Sequence, residues 1–159
     1  MSVVRQQSLE VFADYHQFYV QDGGINPPAP EVWTDEDIAN RSKVIENVVV
    51  VCPLRNMTVP IEVVLHDSEP PHDGDRSDHV VECSLTLSTG HLQVHECTGG
   101  PALDWEVASG TYSVRLSYFG LDSISDNGLE GSDYYKVELW PGRARELKVV
   151  RSWLGANEA

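Results

Sequence analysis

Carboxylates and histidines are the residues of this sequence best equipped for chemistry, and their spacing decides what they could do. Asp73, Asp75 and Asp78 in "DGDRSD" offer hard oxygen ligands to a cation. An EF-hand loop needs ligands at alternate positions, a glycine at the sixth and a closing glutamate at the twelfth, and this stretch lacks that spacing. A solvated loop is the simpler reading. His66, His72 and His79 lie in or beside the same stretch, and His16 sits in an alternating segment. His91 and His95 share a strand face but stand about 13 Å apart on extended chain, too far to share one metal. No G-x-S-x-G elbow, phosphate-binding loop or H-E-x-x-H occurs. Carboxylates are plentiful enough for acid–base work, yet nothing selects a pair. The expectation is a protein with no catalysis of its own, no metal and no cofactor. Trp33, Trp105, Trp140 and Trp153, with Tyr134 and Tyr135, could in part line a sugar-binding face, although core or edge packing accounts for most of them.

The acids of "PEVWTDEDI" have a structural role of their own. Thr34 reads as an N-cap, and Asp35, Glu36 and Asp37 then face the positive end of a helix dipole. A short helix near 34–41 follows, with Ile38 opening its buried stripe.

The chain has 159 residues and a net charge of −14, from 25 Asp+Glu against 11 Lys+Arg. That length suits one domain, 1–159, that folds without metal or disulfide. So acidic a chain lacks the basic face needed to grip phosphates, which argues against direct nucleic-acid binding. No apolar run approaches a membrane span, and "MSVVRQQSLEVF" has no h-region, so a cytoplasmic protein with no membrane association is expected. The three cysteines cannot all pair and show no zinc-site spacing. The charge is concentrated: segments 31–37, 66–79 and 121–133 together hold 13 acids and one arginine, and the rest of the chain, with 12 acids and 10 bases, is nearly balanced.

Period-two alternation dominates the remainder, in "VPIEVVLH", "HVVECSLTLS", "GTYSVRLSYF" and "YYKVELW", while "NVVVVCPL" reads as a strand buried on both faces. Helical periodicity is almost absent. Strands at 9–20, 43–54, 58–66, 79–88, 91–98, 103–107, 111–119, 133–140 and 144–153 predict an all-β fold, an antiparallel two-sheet β-sandwich of about nine strands. A hairpin around Thr89 and Gly90 would put Val81, Cys83, Leu85 and Leu87 on one face with Leu92 and Val94, leaving Cys97 on the other and all three thiols free. If each strand runs back along the last, the connections 21–42, 67–78, 99–102 and 120–132 fall at one end. The short turns carrying Arg55 and Arg143 fall at the other. The long acidic loops would then make one surface.

The order "DYHQFYV" followed by "PPAPEVWTDEDI" resembles the bacterial competence protein J family. The matching pieces are Tyr15-His16-Gln17-Phe18 with Val20, Pro27-Pro28, and Trp33-Thr34-Asp35-Glu36 with Ile38, within 14–38. Beyond them the likeness is one of size and strand-rich pattern, and the acidic loops at 66–79 and 121–133 are longer than the family leads one to expect. The resemblance implies inhibition of a DNA-entry nuclease, and supplies no inhibitory residues. A nuclease binds a polyanion in a basic cleft, so an acidic surface suits that partner. The expected partner is a basic nuclease or nuclease toxin, and the expected partner-binding residues are Trp33, Asp35, Glu36, Asp37, Asp73, Asp75, Asp126 and Glu130. Self-association into a homodimer stays open. The alternative is a ligand-binding β-sandwich that recognises a carbohydrate or cation at its long-loop end.

Overall fold

The computed structural model describes residues 2–25, 30, 32–45, 47–72 and 76–154. These form eleven strands: β1 (Val3–Phe12), β2 (Phe18–Asp22), β3 (Ser42–Ile45), β4 (Val48–Val51), β5 (Thr58–His66), β6 (His79–Leu87), β7 (His91–Glu96), β8 (Pro101–Glu106), β9 (Gly110–Phe119), β10 (Tyr134–Pro141) and β11 (Lys148–Arg151). One sheet has the order β1-β5-β10-β9-β6-β11 and the other β3-β4-β2-β7-β8. A single α-helix among the described residues, α1 (Asp35–Asn40), precedes β3. No described helix is long and apolar enough to cross a membrane.

Alternation explains the core. In β9 the inward positions Tyr112, Val114, Leu116 and Tyr118 meet β10's Tyr135, Val137 and Leu139 and the second sheet's Phe18, Val20, Leu92, Val94 and Trp105 in one apolar cluster. Burying those side chains between two sheets is the main stabilising term. β4, the run Val48–Val51, is buried on both faces, as a continuous apolar strand requires.

The all-β two-sheet expectation holds, with three corrections to its detail. The segment 9–20 is not one strand: β1 ends at Phe12, the chain turns through 13–17, and β2 joins the other sheet. The inward phase shifts at this corner, from Val11 and Ala13 to Phe18 and Val20, and all four still point into the same core. Likewise 43–54 contains the hairpin β3–β4, turning at Asn47 in the left-handed region (φ 61°). Second, the larger sheet is mixed, since β10 pairs in parallel with β5. Third, β6 and β7 do not pair with each other. β6 pairs with β9 and β11, and β7 with β2 and β8. The turn at Ser88–Gly90 passes between sheets, so Val81, Cys83, Leu85, Leu87, Leu92 and Val94 still share one interior, across the sandwich and not along a ladder. All three cysteines are free, and Cys83 is fully buried.

Pairing directions also locate the connections. β5 and β6 run the same way, because β5 is parallel to β10 and each step from β10 to β9 to β6 reverses direction. The 67–78 connection must therefore traverse the length of the sandwich. It is fastened to the outer face by Arg115, whose buried guanidinium donates to the Pro70 and Pro71 carbonyls at 3.0 and 3.2 Å and pairs with Glu82 at 2.9 Å. β2 and β3 likewise run the same way, both being antiparallel to β4, so 23–41 traverses as well. The turn at 52–57 and the loop at 120–133 share one end: Arg55 Nε meets Asp133 at 2.6 Å, and Leu54 N donates to Tyr135 Oη at 3.0 Å. Arg55 thus lies with the third acidic loop and not opposite it, because two connections link strands of like direction and break the simple alternation of ends.

Candidate functional site

At this end of the sandwich, α1 begins with the motif its sequence announces. The Thr34 side chain accepts from Asp37 N at 3.0 Å, and Asp37 Oδ2 accepts from Thr34 N at 3.1 Å, a reciprocal cap. That hydrogen bond from the Thr34 backbone, followed by Lys43, holds the Asp37 carboxyl below its usual range even though partial burial opposes it. Lys43 ties the region together: its Nζ meets Asp37 at 3.0 Å, donates to the Val32 carbonyl, and lies 5.1 Å from the centre of the Trp33 ring. Ile38 does not open a buried stripe. It is 59% exposed, and none of the helix is buried, because two turns lying along the sheet edge have no second layer above them.

What Ile38 borders instead is a groove of about 470 Å³, lined by Tyr15, His16, Gln17, Trp33, Ile38, Arg41, Cys52, Pro53 and Leu54. Three walls meet there: the corner between β1 and β2, the start of α1, and the segment after β4. The corner is cross-linked to the floor by His16 Nδ1 and the Pro53 carbonyl at 3.3 Å. Arg41 closes the inner side, its carbonyl accepting from Cys52 N at 3.1 Å and from Tyr118 Oη, while its guanidinium stacks 4.9 Å from Trp153. Burial pushes the Cys52 thiol up to about 12, so it is an inert wall and not a nucleophile. Tyr15, His16 and Arg41 have φ of 57°, 58° and 58°, left-handed conformations that L residues with a Cβ adopt at a cost. Tyr15 is nonetheless 69% exposed.

The floor continues past Leu54 to Arg55, whose Nη1 donates to the Leu129 carbonyl at 3.4 Å. Asp133 is fully buried between Arg55 and Tyr135 Oη, the latter at 2.5 Å. That pair anchors the 120–133 loop, so its exposed acids Asp126 and Glu130 stand beside exposed Leu129.

Of the residues expected to bind a partner, the structure puts Trp33 in the groove wall, half-buried, and Asp35 and Glu36 exposed on α1. Asp37 is engaged in the cap and the Lys43 pair. Asp126 and Glu130 lie on the 120–133 loop at the same end of the sandwich as the 52–57 turn. Asp73 and Asp75 lie outside the described residues, as do Pro27 and Pro28. Among the described residues, Asp35, Glu36, Asp126 and Glu130 are in no ion pair, and no group of three metal-ligating side chains gathers. The aromatic residues do not form one face: Trp105, Trp140 and Tyr135 are buried, and Tyr134 stacks on Phe119.

The groove itself was not legible. Its residues come from three separate segments, and only the turn at Asp14–His16 brings Tyr15 and His16 against Pro53. The Arg115–Glu82 pair carried a usable signal, since each is a lone charge in an apolar strand and the two become direct cross-strand partners.

No protein-family model matches the sequence, and no curated protein is significantly similar to it. Two solved structures share the fold. One is "Crocagin biosynthetic gene J", 16% identical, with a TM-score of 0.56 over 90% of this chain and 100% of that one. The other is ComJ from Bacillus subtilis, described as the inhibitor of the DNA-degrading activity of NucA. It is 20% identical, with a TM-score of 0.66 over 89% of this chain and 98% of that one. Beside the likeness read from residues 14–38 there is thus a likeness of fold: over 89% of its length this chain has the fold of ComJ.

Proposed function

We infer that this is a cytoplasmic protein that binds a basic nuclease, or a nuclease toxin, and inhibits it without catalysis of its own. The observation that carries this reading is the fold shared with ComJ over 89% of the chain. Charge supports it independently. A nuclease must hold a polyanion in a basic cleft, and exposed, unpaired acids on Asp35, Glu36, Asp126 and Glu130 suit such a cleft while drawing the partner in. Asp73 and Asp75, outside the described residues, are counted with these acids for their charge alone, and Trp33 contributes an aromatic wall. Asp37 acts there as the support of the helix start. Three free thiols suit a reducing compartment.

The carbohydrate or cation reading finds less support: the aromatic residues are dispersed or buried, and the described carboxylates do not converge. The test is a plasmid-degradation assay with purified NucA and with the DNases of the native host. Stoichiometric loss of at least one nuclease activity is expected. Full activity of every nuclease at large molar excess of the protein would overturn the reading.

A further inference from the structure

The groove between Tyr15, Trp33, Ile38 and Leu54 has features that packing alone does not explain. Tyr15 is the most exposed aromatic residue and stands in a left-handed conformation at φ 57°, where glycine or asparagine would fit without strain. It makes little core contact in return. Val32, Ile38 and Leu129 are 70%, 59% and 50% exposed around the same end of the sandwich. Apolar exposure gathered at one place marks an interaction surface.

Several of the groove's polar atoms are taken by the chain itself: His16 Nδ1 by the Pro53 carbonyl, the Gln17 side chain by the Tyr15 carbonyl and Tyr19 Oη, and the Arg41 carbonyl by Cys52 and Tyr118. The remaining lining, the rings of Tyr15 and Trp33 with Ile38, Pro53 and Leu54, offers mainly apolar surface, which suits an apolar side chain better than a small polar ligand or a sugar. The unpaired carboxylates outside the groove, Asp35 and Glu36 on α1 and Glu130 beyond Leu129, select the charge of whatever carries that side chain.

We propose that the groove receives an aromatic or branched aliphatic side chain of a protein partner, presented on a segment whose neighbouring residues are lysine or arginine. The groove supplies the buried anchor that holds the complex, and the surrounding acids supply attraction and orientation, a division of labour seen between hot spots and their charged rims. The inference rests on the partner-binding reading above and adds where and how the partner is held.

The test uses the intact protein and a displayed library of random peptides. Peptides selected on the wild type are synthesised and titrated calorimetrically against wild type, Tyr15→Gly, Ile38→Ser and the double variant Asp35→Lys/Glu36→Lys. Selected peptides are expected to combine Trp, Phe, Leu or Ile with adjacent basic residues. Tyr15→Gly and Ile38→Ser are expected to weaken binding roughly tenfold or more, the scale of a lost anchor, at every salt concentration. The Lys variant is expected to lose affinity chiefly at low salt. Tyr15→Gly relieves strain, so its melting temperature is expected to hold or rise, which separates lost binding from lost folding. Recovery of no peptide, recovery of peptides without an apolar anchor, or wild-type affinity in both groove variants would each overturn the proposal. Peptide binding that depends on the groove, in a protein that inhibits no nuclease, would sustain the groove's role while removing the nuclease as its partner.

Discussion

At the scale of single residues, the buried charges are the most exposed to disruption. Asp133 is sealed between Arg55 and Tyr135, so Asp133→Asn leaves a buried guanidinium without its counter-charge. The expected loss is about 3 kcal/mol in urea unfolding, with the 120–133 loop loosened first. Asp22 makes a second, pH-dependent case. Burial alone would raise its carboxyl, but hydrogen bonds from Thr89, Gly24 and Ser88 outweigh that and hold it below the usual aspartate range. A lowered carboxyl contributes stability above its unfolded value and loses it as pH falls through the folded one. The stability gap between wild type and Asp22→Asn is therefore expected to be full at neutral pH and to close in acid, below the ordinary aspartate range. A gap that stays constant into acid would show that these hydrogen bonds do not need the charge. Neither role was legible from residue type: Asp133 sat among solvated loop acids in sequence, and only the fold brings Arg55 against it.

At the scale of elements, α1 was the most legible piece, because a capping motif is local and needs no tertiary partner. Thr34→Ala is expected to cost about 1 kcal/mol by loss of the Asp37 N–H bond, and hydrogen exchange is expected to accelerate throughout α1. With six residues the helix is too short to stand alone, so Lys43 is the other half of its support. The error at Ile38 came from giving a surface helix a buried stripe that its length does not require. Strand existence was legible from alternation. Sheet membership was not: the inward positions shift from Val11 and Ala13 to Phe18 and Val20 across a corner that changes sheets, and the β3–β4 hairpin turns at Asn47 in a two-residue polar break, Glu46-Asn47, between short apolar runs. The mixed pairing of β5 with β10 joins segments separated by about half the chain and leaves no local mark.

At the scale of the whole molecule, charge and apolar surface occupy the same end of a rigid sandwich. The acidic segments were visible in sequence, but their placement required knowing that 23–41 and 67–78 each traverse the fold, which follows from strand direction and not from strand count. The central claim is that the unpaired acids there meet a basic nuclease. Its most direct test is the inhibition of that nuclease, titrated at low and high salt, by wild type and by a variant carrying Asp35→Lys, Glu36→Lys, Asp126→Lys and Glu130→Lys. These four side chains are exposed and outside the ion pairs that hold the fold, so the variant is expected to keep its circular dichroism, with a modest fall in melting temperature from the reversed charges at the start of α1. The account predicts strong inhibition by wild type that weakens as salt shortens the reach of the charges, and little inhibition by the variant at any salt. Equal inhibition by the two proteins, with the same salt dependence, would contradict it.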